Sequence, residues 1–199
     1  MKIIEEKYKW SCSLSSRTDT KYIIIHHRAG NGDAQSIHRI HLSNGWSGIG
    51  YHFYVRKNGE VYRGRPLHSI GAHCTGRNSN SVGICFEGNY QVETMSETQL
   101  KAGRELIQYL KGIYPNAEIK RHGDLNSTSC PGKNFPFNEI ISAPAKRELV
   151  EANDIIWELM HGPLKVEISE VDRAVQTLED ARREDSSLYW ILRKIVNKE

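Results

Sequence analysis

The sequence predicts an α/β domain with a mixed central β-sheet flanked by helices, followed by a small helical region at the carboxyl end. Three observations carry this expectation. Short β-branched apolar runs alternate with segments of helical period as far as residue 142. An Asn-Gly pair separates two strand-like segments, and beyond Pro144 only helical periodicity remains.

Tyr22-Ile23-Ile24-Ile25-His26-His27 suits a strand buried on both faces, with polar side chains at its carboxyl end. From Asp33 to Leu42, the residues Ile37, Ile40 and His41 keep helical spacing until Ser43-Asn44-Gly45 stops it. Strands are expected over Gly50 to Arg56 and Glu60 to Arg65, joined at Asn58-Gly59 by a turn that puts both residues at positive φ. Ser81 to Glu87 reads as another buried strand. Ser96 and Gln99 form a capping-box pattern before a helix carrying Leu106, Ile107, Leu110, Ile113 and Tyr114, which Pro115 ends. A strand over Ala117 to Lys120 leads into the loop from Arg121 to Lys133.

The tail offers one helix through Leu149, Ala152, Ile156, Leu159 and Met160, a break at Gly162-Pro163, a second helix capped at Ser169, and a third over Leu188 to Val196. The chain therefore divides into a core, 1–142, and a helical region, 143–199, suited to wall binding, homodimer formation or packing.

Composition narrows the function. Apolar residues are 38% and charged residues 26% of 199, the balance of a folded globular protein. The net charge of +3 comes without a basic, aromatic-interleaved stripe, which argues against nucleic-acid binding. No run approaches the roughly 18 to 20 apolar residues of a membrane span, so no membrane insertion is expected. The start, Met1 to Lys7, lacks an apolar h-region and a cleavage site, so the chain is expected to be cytoplasmic when made. Cysteines 12, 74, 85 and 130 have no framework spacing, although Cys74 and Cys85 could pair if oxidised.

A catalytic zinc needs about three protein ligands and one open position. His26 at a strand end, with His122 and Cys130 in a later loop, could supply them. Taken singly, each reads as a structural residue, since most lone cysteines are small buried hydrophobes and most lone histidines are satisfied locally. His38 and His41 share a helix face that belongs to packing, and His52 alternates out of phase with Tyr51.

A series of stretches in fixed order then becomes informative. These are Ile23 to His27, Gly45 to Phe53, Gly59 to Arg65, Gly71-Ala72-His73, Asn78 to Ile84 and His122 to Gly132. In them the sequence resembles the type-2 N-acetylmuramoyl-L-alanine amidases, which include T7-type phage lysozyme and the catalytic peptidoglycan recognition proteins. The resemblance covers residues 18 to 142.

It implies a Zn2+ site at His26, His122 and Cys130, with His26 chosen over His27 because the phage enzyme keeps only the first of this pair. It implies a catalytic tyrosine at Tyr51, and a hydroxyl at Thr128 where the phage enzyme has lysine. A catalytic glutamate of another branch falls on Cys85, so that branch's mechanism does not transfer. His73 is expected to line the substrate groove, with Arg77 and Asn78 as further substrate-binding candidates. The implied activity is zinc-dependent hydrolysis of the bond between N-acetylmuramic acid and L-alanine. The implied partners are peptidoglycan and muropeptides, met by an endolysin or autolysin on the cell wall after release. The rival is a peptidoglycan-binding module without catalysis. Such proteins typically lack the cysteine ligand, and Cys130 is present.

Overall fold

The computed structural model describes residues 2–142 together with positions 173 and 176. The chain order is β1 (Ile3–Ile4), β2 (Tyr22–His27), α1 (Ala34–Ser43), β3 (Phe53–Val55), β4 (Val61–Arg63), β5 (Ser81–Phe86), α2 (Glu97–Ile113), β6 (Glu118–Arg121) and α3 (Phe137–Ile141). Short 3-10 turns cover Asn78–Asn80 and His122–Asp124. The helices and roles expected of 143–199 lie outside the described residues, save that positions 173 and 176 are helical.

The strands form one mixed sheet in the order β1-β4-β3-β5-β2-β6. β2 is parallel to both β5 and β6, β3 is parallel to β5, and β4 turns back antiparallel on β3. Ile23, Ile24 and Ile25 are fully buried, as a central strand covered on both faces requires. On one face, Tyr54 and Cys85 pack with Ala34 and Ile37 of α1 and with Ile49. On the other, α2 brings Leu106, Ile107 and Leu110 to full burial, and Gly103 approaches the Phe86 ring.

Two local expectations needed correction. At Asn58-Gly59 only Gly59 takes positive φ, 84°. Gly59 N–H donates to Arg56 O and Arg56 N–H to Glu60 O, both at 2.9 Å, so the loop is a turn closed by a left-handed glycine. Asn58 contributes its side-chain oxygen, which accepts Glu60 N–H at 3.1 Å. At the start of α2, Ser96 Oγ accepts Gln99 N–H at 3.3 Å, but the Gln99 amide turns into the core and donates to Val55 O and Glu87 O. Half of the capping box is therefore replaced by a bond network beneath the sheet. β1 and α3, two and five residues long, are too short to show a period and were not anticipated.

Candidate metal centre and active site

The strands β3, β5, β2 and β6 run parallel, so their carboxyl ends meet along one edge, where open α/β sheets place ligands. Side chains alternate faces along a strand. His26 therefore shares a face with its register partner Cys85, while His27 points to the opposite side. There His27 Nδ1 accepts Tyr90 N–H at 3.1 Å. β6 ends with Arg121 opposite Ile25, and the next residue, His122, leaves the strand with its ring centroid 4.5 Å from that of His26.

The loop after β6 returns Cys130 to the same place. Gly123 N–H donates to Cys130 O at 2.8 Å, Asp124 accepts Arg121 N–H at 2.8 Å, and Thr128 Oγ1 accepts Cys130 N–H at 3.3 Å. Cys130-Pro131 is a cis peptide, and Gly132 follows at φ 107°.

The ligand atoms of His26, His122 and Cys130 lie within 4.8 Å of one another. Cys130 Sγ is 3.8 Å from His26 Nδ1. Zinc bonds of about 2.3 Å to sulfur and 2.0–2.1 Å to nitrogen, at a tetrahedral angle, would separate those atoms by roughly 3.6 Å. The donor set fits a zinc ion. Burial holds His26 well below the usual imidazole range, with the neighbouring His122 and His27 adding to the effect, and burial lowers His122 as well. Burial also pushes the Cys130 thiol up to about 11. A divalent cation in such a cluster displaces the thiol proton, because thiolate and cation then offset each other's desolvation.

The ring of Tyr51 lies 5.2 Å from that of His26. Burial keeps its phenol well above its ordinary value, and the neighbouring Cys85 and Cys130 thiols push the same way. The segment before it is clamped from α1: Ile49 N–H donates to His38 Nδ1 at 3.1 Å and Gly50 N–H to His41 Nδ1 at 3.0 Å. His38 and His41 thus serve the backbone that delivers Tyr51. Thr128 is exposed in the ligand loop, and after accepting from Cys130 its hydroxyl proton is left to donate.

The expected substrate-binding residues are placed differently. His73 is only 8% exposed, and its Nδ1 sits 3.0 Å from His26 Nε2, behind the ligand rather than along an open groove. Asn78 Oδ1 accepts the N–H groups of His73 and Cys74 at 2.8 and 2.9 Å, which commits it to shaping that loop. Arg77 is exposed, with its guanidinium 5.7 Å over the ring of Tyr22. Tyr22 begins β2 and lies about 13 Å of strand from His26, so Arg77 stands toward the sheet's amino edge.

His52 is fully buried, and Glu87 accepts Gly32 N–H and pairs with Arg56 at 3.2 Å, apart from the three ligands. All four cysteines are free. Cys74 Sγ lies 2.8 Å from Asn126 Oδ1, tying the His73 loop to the ligand loop. Nothing local in the sequence signals a contact between residues 52 apart.

Fold and donor set together define an α/β protein with a cluster of two histidines and a cysteine, able to hold a metal ion, at the carboxyl edge of its sheet. Residues 16–133 match the family described as N-acetylmuramoyl-L-alanine amidase, and the chain belongs to that family. It is 38% identical over 132 residues to peptidoglycan-recognition protein SC2 of Drosophila melanogaster, covering 60% of this chain and 71% of that one. An endolysin of Enterobacteria phage K11 is 32% identical over 126 residues, covering 59% of this chain and 83% of the phage protein. Among solved structures, the N-acetylmuramoyl-L-alanine amidase LysC from Clostridium intestinale URNW superposes with a TM-score of 0.69 at 42% identity, over 75% of this chain and 98% of that one.

Proposed function

We propose that this chain is a zinc-dependent N-acetylmuramoyl-L-alanine amidase, an endolysin or autolysin that acts on cell-wall peptidoglycan after release. The observation that carries the reading is the convergence of His26, His122 and Cys130 ligand atoms within 4.8 Å beside Tyr51. When bound, zinc supplies a Lewis acid and lowers the pKa of a water molecule to about 7.

The rest falls to the protein. His26 and His122 would hold the ion as neutral donors, and Cys130 as a thiolate would offset part of its charge. Tyr51, protonated throughout the neutral range, donates toward the oxyanion that develops on the substrate carbonyl. Thr128 adds a second hydroxyl donor from the ligand loop. A cysteine ligand beside two histidines favours catalysis over passive peptidoglycan binding.

The test is metal analysis of the purified protein with turnover of a soluble muropeptide before and after chelation. About one zinc per chain is expected, with activity abolished by the chelator and restored by zinc. Full turnover in metal-free protein would end the proposal.

A further inference from the structure

We infer that His73 is a positioning residue that fixes the ring proton of His26 on Nε2 and so leaves Nδ1 as the metal-facing nitrogen; this rests on the metal-site reading above. A chain of obligatory donors and acceptors carries the inference. The Arg77 carbonyl can only accept, and Ser81 Oγ lies 2.7 Å from it, so the single hydroxyl proton of Ser81 is committed there. Ser81 Oγ is also 3.4 Å from His73 Nε2. With its proton spent, the oxygen can only accept, so His73 Nε2 carries the hydrogen. A neutral imidazole with hydrogen on Nε2 has a bare Nδ1.

That bare Nδ1 faces His26 Nε2 at 3.0 Å, and His26 must donate across the gap. His26 Nδ1 keeps its lone pair, and it is the nitrogen 3.8 Å from Cys130 Sγ. A backbone carbonyl thus sets, through two side chains, which nitrogen of the ligand can bind a metal.

The relay is enclosed: Ser81, His26 and His73 are 0%, 1% and 8% exposed. His73 is also held in place, its N–H bonded to Asn78 and its ring seated on Gly83, where an added Cβ would come within 2.6 Å of it. Metal-ligating histidines commonly donate the second ring N–H to a carboxylate, carbonyl or water, which fixes tautomer and orientation. Here the acceptor is a neutral imidazole. It orients His26 without adding negative charge, and leaves charge compensation to Cys130.

Two measurements on the full chain test this. Two-bond proton–nitrogen correlation spectra of the chelated, nitrogen-15-labelled protein should show His26 and His73 each as the Nε2–H tautomer. An Nδ1–H tautomer or averaged shifts at His26 would overturn the inference. Zinc affinity, measured by competition with a chromophoric chelator, should fall about 10- to 100-fold in His73→Leu. It should stay within roughly threefold of wild type in His73→Asn, whose amide oxygen can stand in for Nδ1. Equal affinity in wild type and His73→Leu would also overturn it. Absence of zinc binding by the wild-type protein would instead defeat the metal-site reading, and the tautomer spectra would still decide the role of His73.

Discussion

Acid should destabilise this fold through His52. The ring is fully buried beneath the His26–His73 pair, its centroid 5.7 Å from that of His73. Nδ1 accepts Gly83 N–H at 3.0 Å and Nε2 donates to Ser69 O at 2.9 Å, so the neutral ring is fully bonded. Burial, reinforced by Arg17, Arg65 and Arg63, lowers its pKa from 6.5 to about 3. In the unfolded chain the same imidazole takes up a proton near 6.5. Its contribution to stability is therefore complete above the unfolded value and is lost as pH falls from there toward 3. At pH 5 the unfolded state is protonated by about 30 to 1 while the folded ring stays neutral, a loss of about 2 kcal/mol, which grows to about 3 kcal/mol at pH 4. Denaturant unfolding of the chelated protein at pH 7 and pH 5, in wild type and His52→Gln, isolates this effect, because glutamine offers a donor and an acceptor but does not titrate. Wild type should lose about 2 kcal/mol more than the variant between the two pH values. Equal losses would show that His52 is not held neutral by the fold.

Other outcomes follow from the site. Tyr51→Phe should lower kcat about 10²- to 10³-fold with zinc content unchanged, and Thr128→Val should lower it less; wild-type turnover in both would remove the two hydroxyls as donors to the oxyanion. Cys130→Ser should bind zinc far more weakly by chelator competition, because a buried hydroxyl does not replace a thiolate; unchanged affinity would remove Cys130 from the ligand set. A chain ending at Ser142 should still hydrolyse soluble muropeptides while acting more slowly on intact walls, where an anchoring tail raises effective concentration. If that shortened chain folds and binds zinc but cannot cut soluble muropeptides, residues 143–199 contribute to the site.

Local chemistry made most of the fold legible. The Tyr22 to His27 run, the helical spacing from Asp33 to Leu42 and the Ser96 cap of α2 each announce themselves within a few residues, and the structure keeps those elements. The cluster was less open to direct reading, because His26 and Cys130 are 104 residues apart and only the ordered motifs of the family linked them. Strand parity puts His26 on the face of Cys85 and His27 on the opposite one, a difference that shows only once the register is known. What the sequence hid was non-local. The Gln99 side chain suits either a cap partner or a core bond donor, and only the packed sheet decides between them. Gly71-Ala72-His73 reads equally well as a groove wall or as a buried support, and the closeness of Gly83 beneath the ring settles its burial.

The most direct test of the central claim is mass spectrometry of purified peptidoglycan digested by the zinc-loaded and the chelated protein. Zinc-loaded protein should release stem peptides that begin with L-alanine and leave the lactyl group on the glycan, and chelated protein should release none. Cleavage at any other bond, or equal release without the metal, would contradict it.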